Sequence, residues 1–153
     1  MIYFFDTSAL VKRYHKEKGT EFVDSMFEEI VNTEKEAFIS SLSLLELTSA
    51  LKRKQKGNII TKEEFQDALK TSFEEIDEIF TIIPVTEDTI NESILVVTEF
   101  ALKTLDSIQY QIVKEVGEIL QDEIVVLTSD NELLEAFEKG GFKGIDPENA
   151  DLG

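Results

Sequence analysis

Short stretches of this chain are apolar almost without a break: Ile2–Phe5, Ala37–Ser40, Thr81–Val85, Ile124–Thr128 and, more weakly, Phe142–Ile145. A strand with one face in water alternates polar with apolar residues; one covered on both faces does not. These runs therefore predict strands buried between two layers. Between them the apolar spacing changes to that of a helix. Val23, Met26, Phe27 and Ile30 share a face, as do Phe65, Leu69, Phe73, Ile76 and Phe80. Ile90, Ile94, Val97 and Ala101 make a third stripe, and Ile108, Ile112, Val116 and Ile119 a fourth. Thr61 with Glu64 fits a capping box, and Gly140–Gly141 ends the last helical pattern. Strands and helices in alternation predict an α/β fold, a three-layer sandwich with a central, mostly parallel sheet flanked by helices. The length of 153 residues suits one domain, residues 1–153, and no linker, repeat or low-complexity segment divides it.

Four acids stand where this apolar character runs out. Asp6 closes the opening run MIYFFD, and Asp130 follows IVVLTS. Glu46 interrupts SLSLLELTSAL, and Asp106 interrupts LKTLDSIQYQIV. A carboxylate in apolar surroundings needs a partner or a shifted pKa. In open parallel sheets, sites form beyond the carboxyl ends of the strands. Asp6 and Asp130 fall just past such ends, and Glu46 lies soon after a third. Asp106 has no strand before it and must reach the same edge from a helix start. Four converging carboxylates call for a hard cation, hence metal-assisted chemistry on phosphate.

The net charge of −17 argues against generic nucleic-acid binding, but it is unevenly spread. Residues 1–60 hold nine basic and nine acidic residues; residues 61–153 hold six and 23, so the whole excess lies there. Glu63–Glu78 contains seven of those acids, alternating with an apolar stripe as on a solvated helix face. There is no cysteine, so no disulfide framework and no thiolate metal site. No uncharged apolar run reaches the roughly 18 residues of a membrane span, and no signal-peptide pattern opens the chain. A cytoplasmic protein is expected.

In order, the segments FFDTSALVKRY, SSLSLLELTSAL, LKTLDSIQYQIV and VVLTSDNELLEAFEKGGFKGIDPE resemble the four motifs of the PIN domain family, most closely its VapC-type toxin ribonucleases. The resemblance covers nearly the full chain. It implies a parallel sheet between helices and an acidic quartet, Asp6, Glu46, Asp106 and Asp130, holding Mg²⁺ or Mn²⁺. It implies endonucleolytic cleavage of single-stranded RNA, a homodimer, and a small inhibitory antitoxin.

Mg²⁺ keeps waters and takes only one or two carboxylates directly, so Asp6 and Asp106 are assigned as direct ligands, with Glu46 and Asp130 holding water or a second ion. Ser8 and Ser129 are expected to support the acids. Arg13 and Arg53, on the helices that carry Asp6 and Glu46, are candidates to track an RNA backbone. The single histidine, His15, reads as a surface residue. Each acid also has a structural role open to it. Asp6 suits an N-cap. Ser43–Glu46 and Ser129–Glu132 match capping boxes, the second placing Asp130 at a first helical position. Asp106 could start a helix behind Thr104 or Leu105. Two other classes remain: a PIN-like protein-binding module without activity, for which the acidic half speaks, and a housekeeping RNA-processing nuclease. Aspartyl-phosphate chemistry fits poorly, because Ser8 stands where a second acid is needed.

Overall fold

The computed structural model describes residues 1–153. In chain order the elements are β1 (Ile2–Phe5), α1 (Thr7–Tyr14), α2 (Thr20–Thr33), β2 (Glu36–Ser40), α3 (Ser41–Lys56), α4 (Lys62–Ile79), β3 (Thr81–Ile83), α5 (Glu87–Phe100), α6 (Thr104–Leu120), β4 (Ile124–Leu127), α7 (Asn131–Lys139) and β5 (Lys143–Ile145). The strands form one sheet in the order β3-β2-β1-β4-β5, and every neighbouring pair is parallel. The sheet predicted as mostly parallel is entirely so.

Successive strand residues face opposite sides, and both sides are covered. Tyr3, Phe5, Ala37, Ile39, Val125 and Leu127 pack with Leu10, Phe27, Leu47 and Ile76 of α1–α4. Ile2, Phe4, Phe38, Ile124 and Val126 pack with Ile112, Val113, Leu133 and Phe137 of α6 and α7. This is why the strand segments carry no polar alternation. Phe5 meets Phe27 and Phe80 edge-on, with ring centres 5.4 and 5.2 Å away. On the far side Phe4 contacts Phe38 at 5.2 Å, and Tyr110 stacks on Phe137 at 5.1 Å. Burying one such ring contributes about 3 kcal/mol.

Strand positions match the sequence reading to within two residues. β3 stops at Ile83 because Pro84 has no N–H to continue the ladder. The Thr61–Glu64 capping box is present, with both reciprocal bonds at 3.0 Å. Two helical stripes differ. In α4 the inward row runs through Phe65, Ala68, Ser72 and Ile76, leaving Phe73 43% exposed. In α5 the predicted stripe is the outer face: Ile90, Ile94 and Val97 are exposed, while Thr89, Ser93 and Val96 are buried. The inner face is made of small polar residues that satisfy themselves. Thr89 Oγ1 donates to Glu115 of α6 at 3.1 Å, and Ser93 Oγ donates to the Thr89 carbonyl at 2.7 Å. In α6, Ile112 and Val116 face inward as expected, but Ile119 is exposed. No helix is long and apolar enough to cross a membrane.

Candidate active site

The central strands β2, β1 and β4 deliver their carboxyl ends side by side, and the predicted acids collect there. Asp6 follows β1 and caps α1, its side chain accepting from the Ser8 N–H at 3.3 Å. Asp130 follows β4 and caps α7, accepting from the Leu133 N–H at 3.0 Å. It is therefore the N-cap itself, not the first helical residue behind a Ser129 cap. Glu46 lies in the second turn of α3, whose N-cap is Ser40, so Ser43 is inside the helix and forms no capping box with it. Asp106 is the third residue of α6 and reaches the edge from that helix start.

Asp106 lies within reach of the charges of the other three acids. Burial pushes Asp106 up to about 7, and the charges of Asp130, Asp6 and Glu46 add to the rise. Burial, then the charge of Asp6, raises Glu46. Asp6 is raised by its burial against four hydrogen bonds that pull the other way. The one cation easing Asp106 is Lys103, and the one easing Glu46 is Arg53.

The hydrogen bonds load one oxygen of each tethered acid. Asp6 Oδ2 accepts from Ser8 Oγ at 2.7 Å and Thr128 Oγ1 at 3.0 Å, which leaves Oδ1 without a side-chain donor. Glu46 Oε1 accepts from Gln109 Nε2 at 2.9 Å and Thr7 Oγ1 at 3.2 Å, while Oε2 has no donor. Asp130 spends Oδ1 on its cap. No donor contributes to the Asp106 carboxylate at all. Fixed carboxylates with spare oxygens, mutually repelling and short of cations, have the chemistry of a hard-cation site. No three Asp, Glu or His side chains are arranged to hold one ion among them.

Around the acids lies a scaffold of hydroxyls and amides. Ser8 Oγ, while donating to Asp6, accepts the Ser129 N–H at 2.9 Å; Thr128 Oγ1 likewise accepts the Asp130 N–H at 3.1 Å. The two loops at the ends of β1 and β4 are thus stitched together across Asp6. Ser129 contributes its backbone, and its hydroxyl turns away to Asp146 at 2.9 Å. Gln109 is fully buried; besides Glu46 it donates to Ser43 Oγ at 3.1 Å, and its carbonyl accepts Ser40 Oγ at 2.7 Å. Thr7, Gln109, Thr128 and Asp146 were not singled out from the sequence. Gln109 had a signal: an amide three residues after Asp106, on the same helical face and inside an apolar run.

The two candidate arginines differ. The Arg13 guanidinium is held bidentately by Glu75 at 2.9 and 2.8 Å, by Asp24 at 2.8 Å, and over the Phe27 ring at 4.9 Å. Three of its five N–H donors join α1, α2 and α4, a structural task that its place beside Asp6 did not reveal. Arg53 is exposed and bonds only Ser49 Oγ, at 3.1 Å. His15 is the half-buried C-cap residue of α1 and makes no side-chain hydrogen bond to the acids.

The chain matches the PIN domain over residues 3–139 and belongs to that family. PIN domains are generally nucleases. No curated protein matches it by sequence. Among solved structures it is similar to PAE2754 from Pyrobaculum aerophilum, with 19% identity over 94% of this chain and 83% of that one, at a TM-score of 0.64. FitAcB from Neisseria gonorrhoeae shares 14% identity over 98% and 100% of the two chains, at 0.64. VapBC2 from Rickettsia felis, solved bound to a DNA fragment from its promoter, shares 15% over 95% and 98%, at 0.62. At these identities the likeness is one of fold.

Proposed function

We propose that residues 1–153 form a single PIN domain that acts as a divalent-metal-dependent endoribonuclease on single-stranded RNA, the toxin of a toxin–antitoxin pair. The observation that carries this reading is the gathering of Asp6, Glu46, Asp106 and Asp130 from four separate segments, each with an oxygen left unbonded. Asp6 and Asp106 would ligate Mg²⁺ or Mn²⁺ directly, with Glu46 and Asp130 acting through water. When bound, the ion supplies Lewis-acid polarisation of the phosphate and activation of water.

The chain's own part is positional. Ser8 and Thr128 fix the Asp6 carboxylate, while Gln109 and Thr7 fix that of Glu46. The raised pKa of Asp106 means that it releases a proton when a cation arrives near neutral pH. The test is cleavage of mixed-sequence single-stranded RNA with Mn²⁺, Mg²⁺ or EDTA. Asp6→Asn and Asp106→Asn should each abolish it, and activity retained in both variants would refute the mechanism.

An antitoxin partner is supported by the similar fold of a toxin–antitoxin complex from Klebsiella pneumoniae, 18% identical over 95% of this chain and 97% of that one, at a TM-score of 0.55. A homodimer is supported by the outer face of α5, where Ile90, Ile94, Leu95 and Val97 are all exposed. The expected cytoplasmic location agrees with the absence of a membrane-crossing helix but does not rest on it. A second reading, a binding module without turnover, is favoured by the lack of any ready-made ligand trio. Mn²⁺ titration separates the two, since cleavage that follows metal occupancy is incompatible with it.

A further inference from the structure

Helix α3 is apolar on two faces, and the core needs only one. Ser43, Leu47 and Leu51 face inward and are buried. A second row, Leu42, Leu45, Ser49, Ala50 and Arg53, lines a groove of about 460 Å³ completed by Thr7, Glu46 and Leu105. Leu45 is 68% exposed and Leu105 45%. The groove is thus an apolar slot whose floor contains one of the four acids. Beside it stands Arg53, whose guanidinium turns back one helical turn to Ser49 at 3.1 Å, its one hydrogen bond, and whose charge reaches Glu46.

We propose that this groove holds the base of the nucleotide next to the cleaved phosphate, with Arg53 taking the following phosphate. This inference rests on the ribonuclease reading. A base is flat, largely apolar on its faces and neutral, and it fits a slot walled by leucines. A phosphodiester is anionic and meets the one guanidinium that the rest of the fold leaves free. A second copy of the chain has a broader apolar face available on α5. Leu42, Leu45, Ala50 and Leu105 supply the apolar wall, so contact with a base face is mainly apolar and discrimination among bases modest, as in other sites that grip single strands by their base faces. A base held in a duplex could not enter.

The experiment scans an abasic position along a short fluorescent single-stranded RNA. Binding is read by anisotropy and cleavage from the same mixtures, with Mn²⁺ and with EDTA. Leu45 and Leu105 are exposed, so the double variant Leu45→Ala/Leu105→Ala should fold, and sedimentation checks its assembly. With wild type, one abasic position should weaken binding about tenfold; with the double variant that position should no longer matter. Equal binding of all oligonucleotides by wild type, no binding at all, or a variant that still discriminates would overturn the proposal. So would a variant that turns a dimer into monomers while its discrimination is unchanged, which would give the groove to a second copy. Discrimination without any cleavage would uphold the groove and refute the ribonuclease reading alone.

Discussion

Replacing Asp106 by Asn should make the protein more stable, not less. In the folded chain the Asp106 carboxyl titrates at about 7 against an ordinary value of 3.8, because of its burial and the charges of Asp130, Asp6 and Glu46. A raised folded pKa in an acid means that its favourable contribution is complete below about pH 4 and is lost as the pH rises through about 7. At pH 8 the ionised group therefore opposes folding. The gap corresponds to at most about 4 kcal/mol; water reaches this half-buried carboxylate and screens its neighbours, leaving about 1–2 kcal/mol. Asparagine keeps the shape, removes the charge and forfeits no hydrogen bond, since no protein donor contributes to that carboxylate. Urea denaturation in EDTA should show the Asp106→Asn variant ahead by that amount at pH 8, with the gain shrinking toward zero near pH 4. Adding Mn²⁺ should then stabilise wild type more than the variant. A variant equal to or weaker than wild type at pH 8 in EDTA would show that the acids are not coupled as described.

Gln109→Leu removes the amide that joins Ser40, Ser43 and Glu46, and should cost about 2 kcal/mol in chemical denaturation; an unchanged midpoint would mean that the three side chains find other partners. Lys12, with 3% of its side chain exposed, bonds Glu17 and Glu148 at 2.9 and 3.0 Å. Lys12→Met strands Glu148 and leaves Glu17 only its longer pair with Lys54 at 3.3 Å, so thermal unfolding should show a loss of about 2 kcal/mol, and a neutral outcome would contradict a structural role for that buried cation. Ile94→Glu, on the outer face of α5, should yield monomers in sedimentation velocity while changing stability by no more than about 0.5 kcal/mol; a persistent dimer would place the interface elsewhere.

The strands were legible because burial on both faces leaves a mark that no other environment leaves in so few residues. Phe4 and Phe5 are adjacent and both fully buried, on opposite sides of the sheet. The acids were legible for the complementary reason, as charges that interrupt such runs. Helix faces were less so. The α5 pattern shows an apolar stripe, but it does not show that Thr89 and Ser93 can line a helix interface by bonding to Glu115 and to the helix's own carbonyl. Arg13 likewise sits one helix away from an acid, and only the folded chain brings Asp24 and Glu75 to it. Thr128 escaped because an uncharged donor acquires meaning only from the carboxylate that it meets, 122 residues away; Gln109 carried a signal in its place on the Asp106 face, but the carboxylate it holds is 63 residues away.

The position of β1 in the sheet has a temporal consequence. It is the first of the five strands in chain order and the middle one in space, and its partner on one side is β4, which begins at Ile124. Until that strand has been made, Asp6 lacks the Thr128 hydroxyl, Ser8 lacks the Ser129 amide, and Asp130 does not exist. Pairings of such long sequence separation form late, because the loop must close before any contact rewards it. Everything before Ile124 is therefore synthesised with the acidic cluster still unassembled. The cluster forms with the closing of one strand pair, and any partner that captures the growing chain before that event meets it without its four acids together.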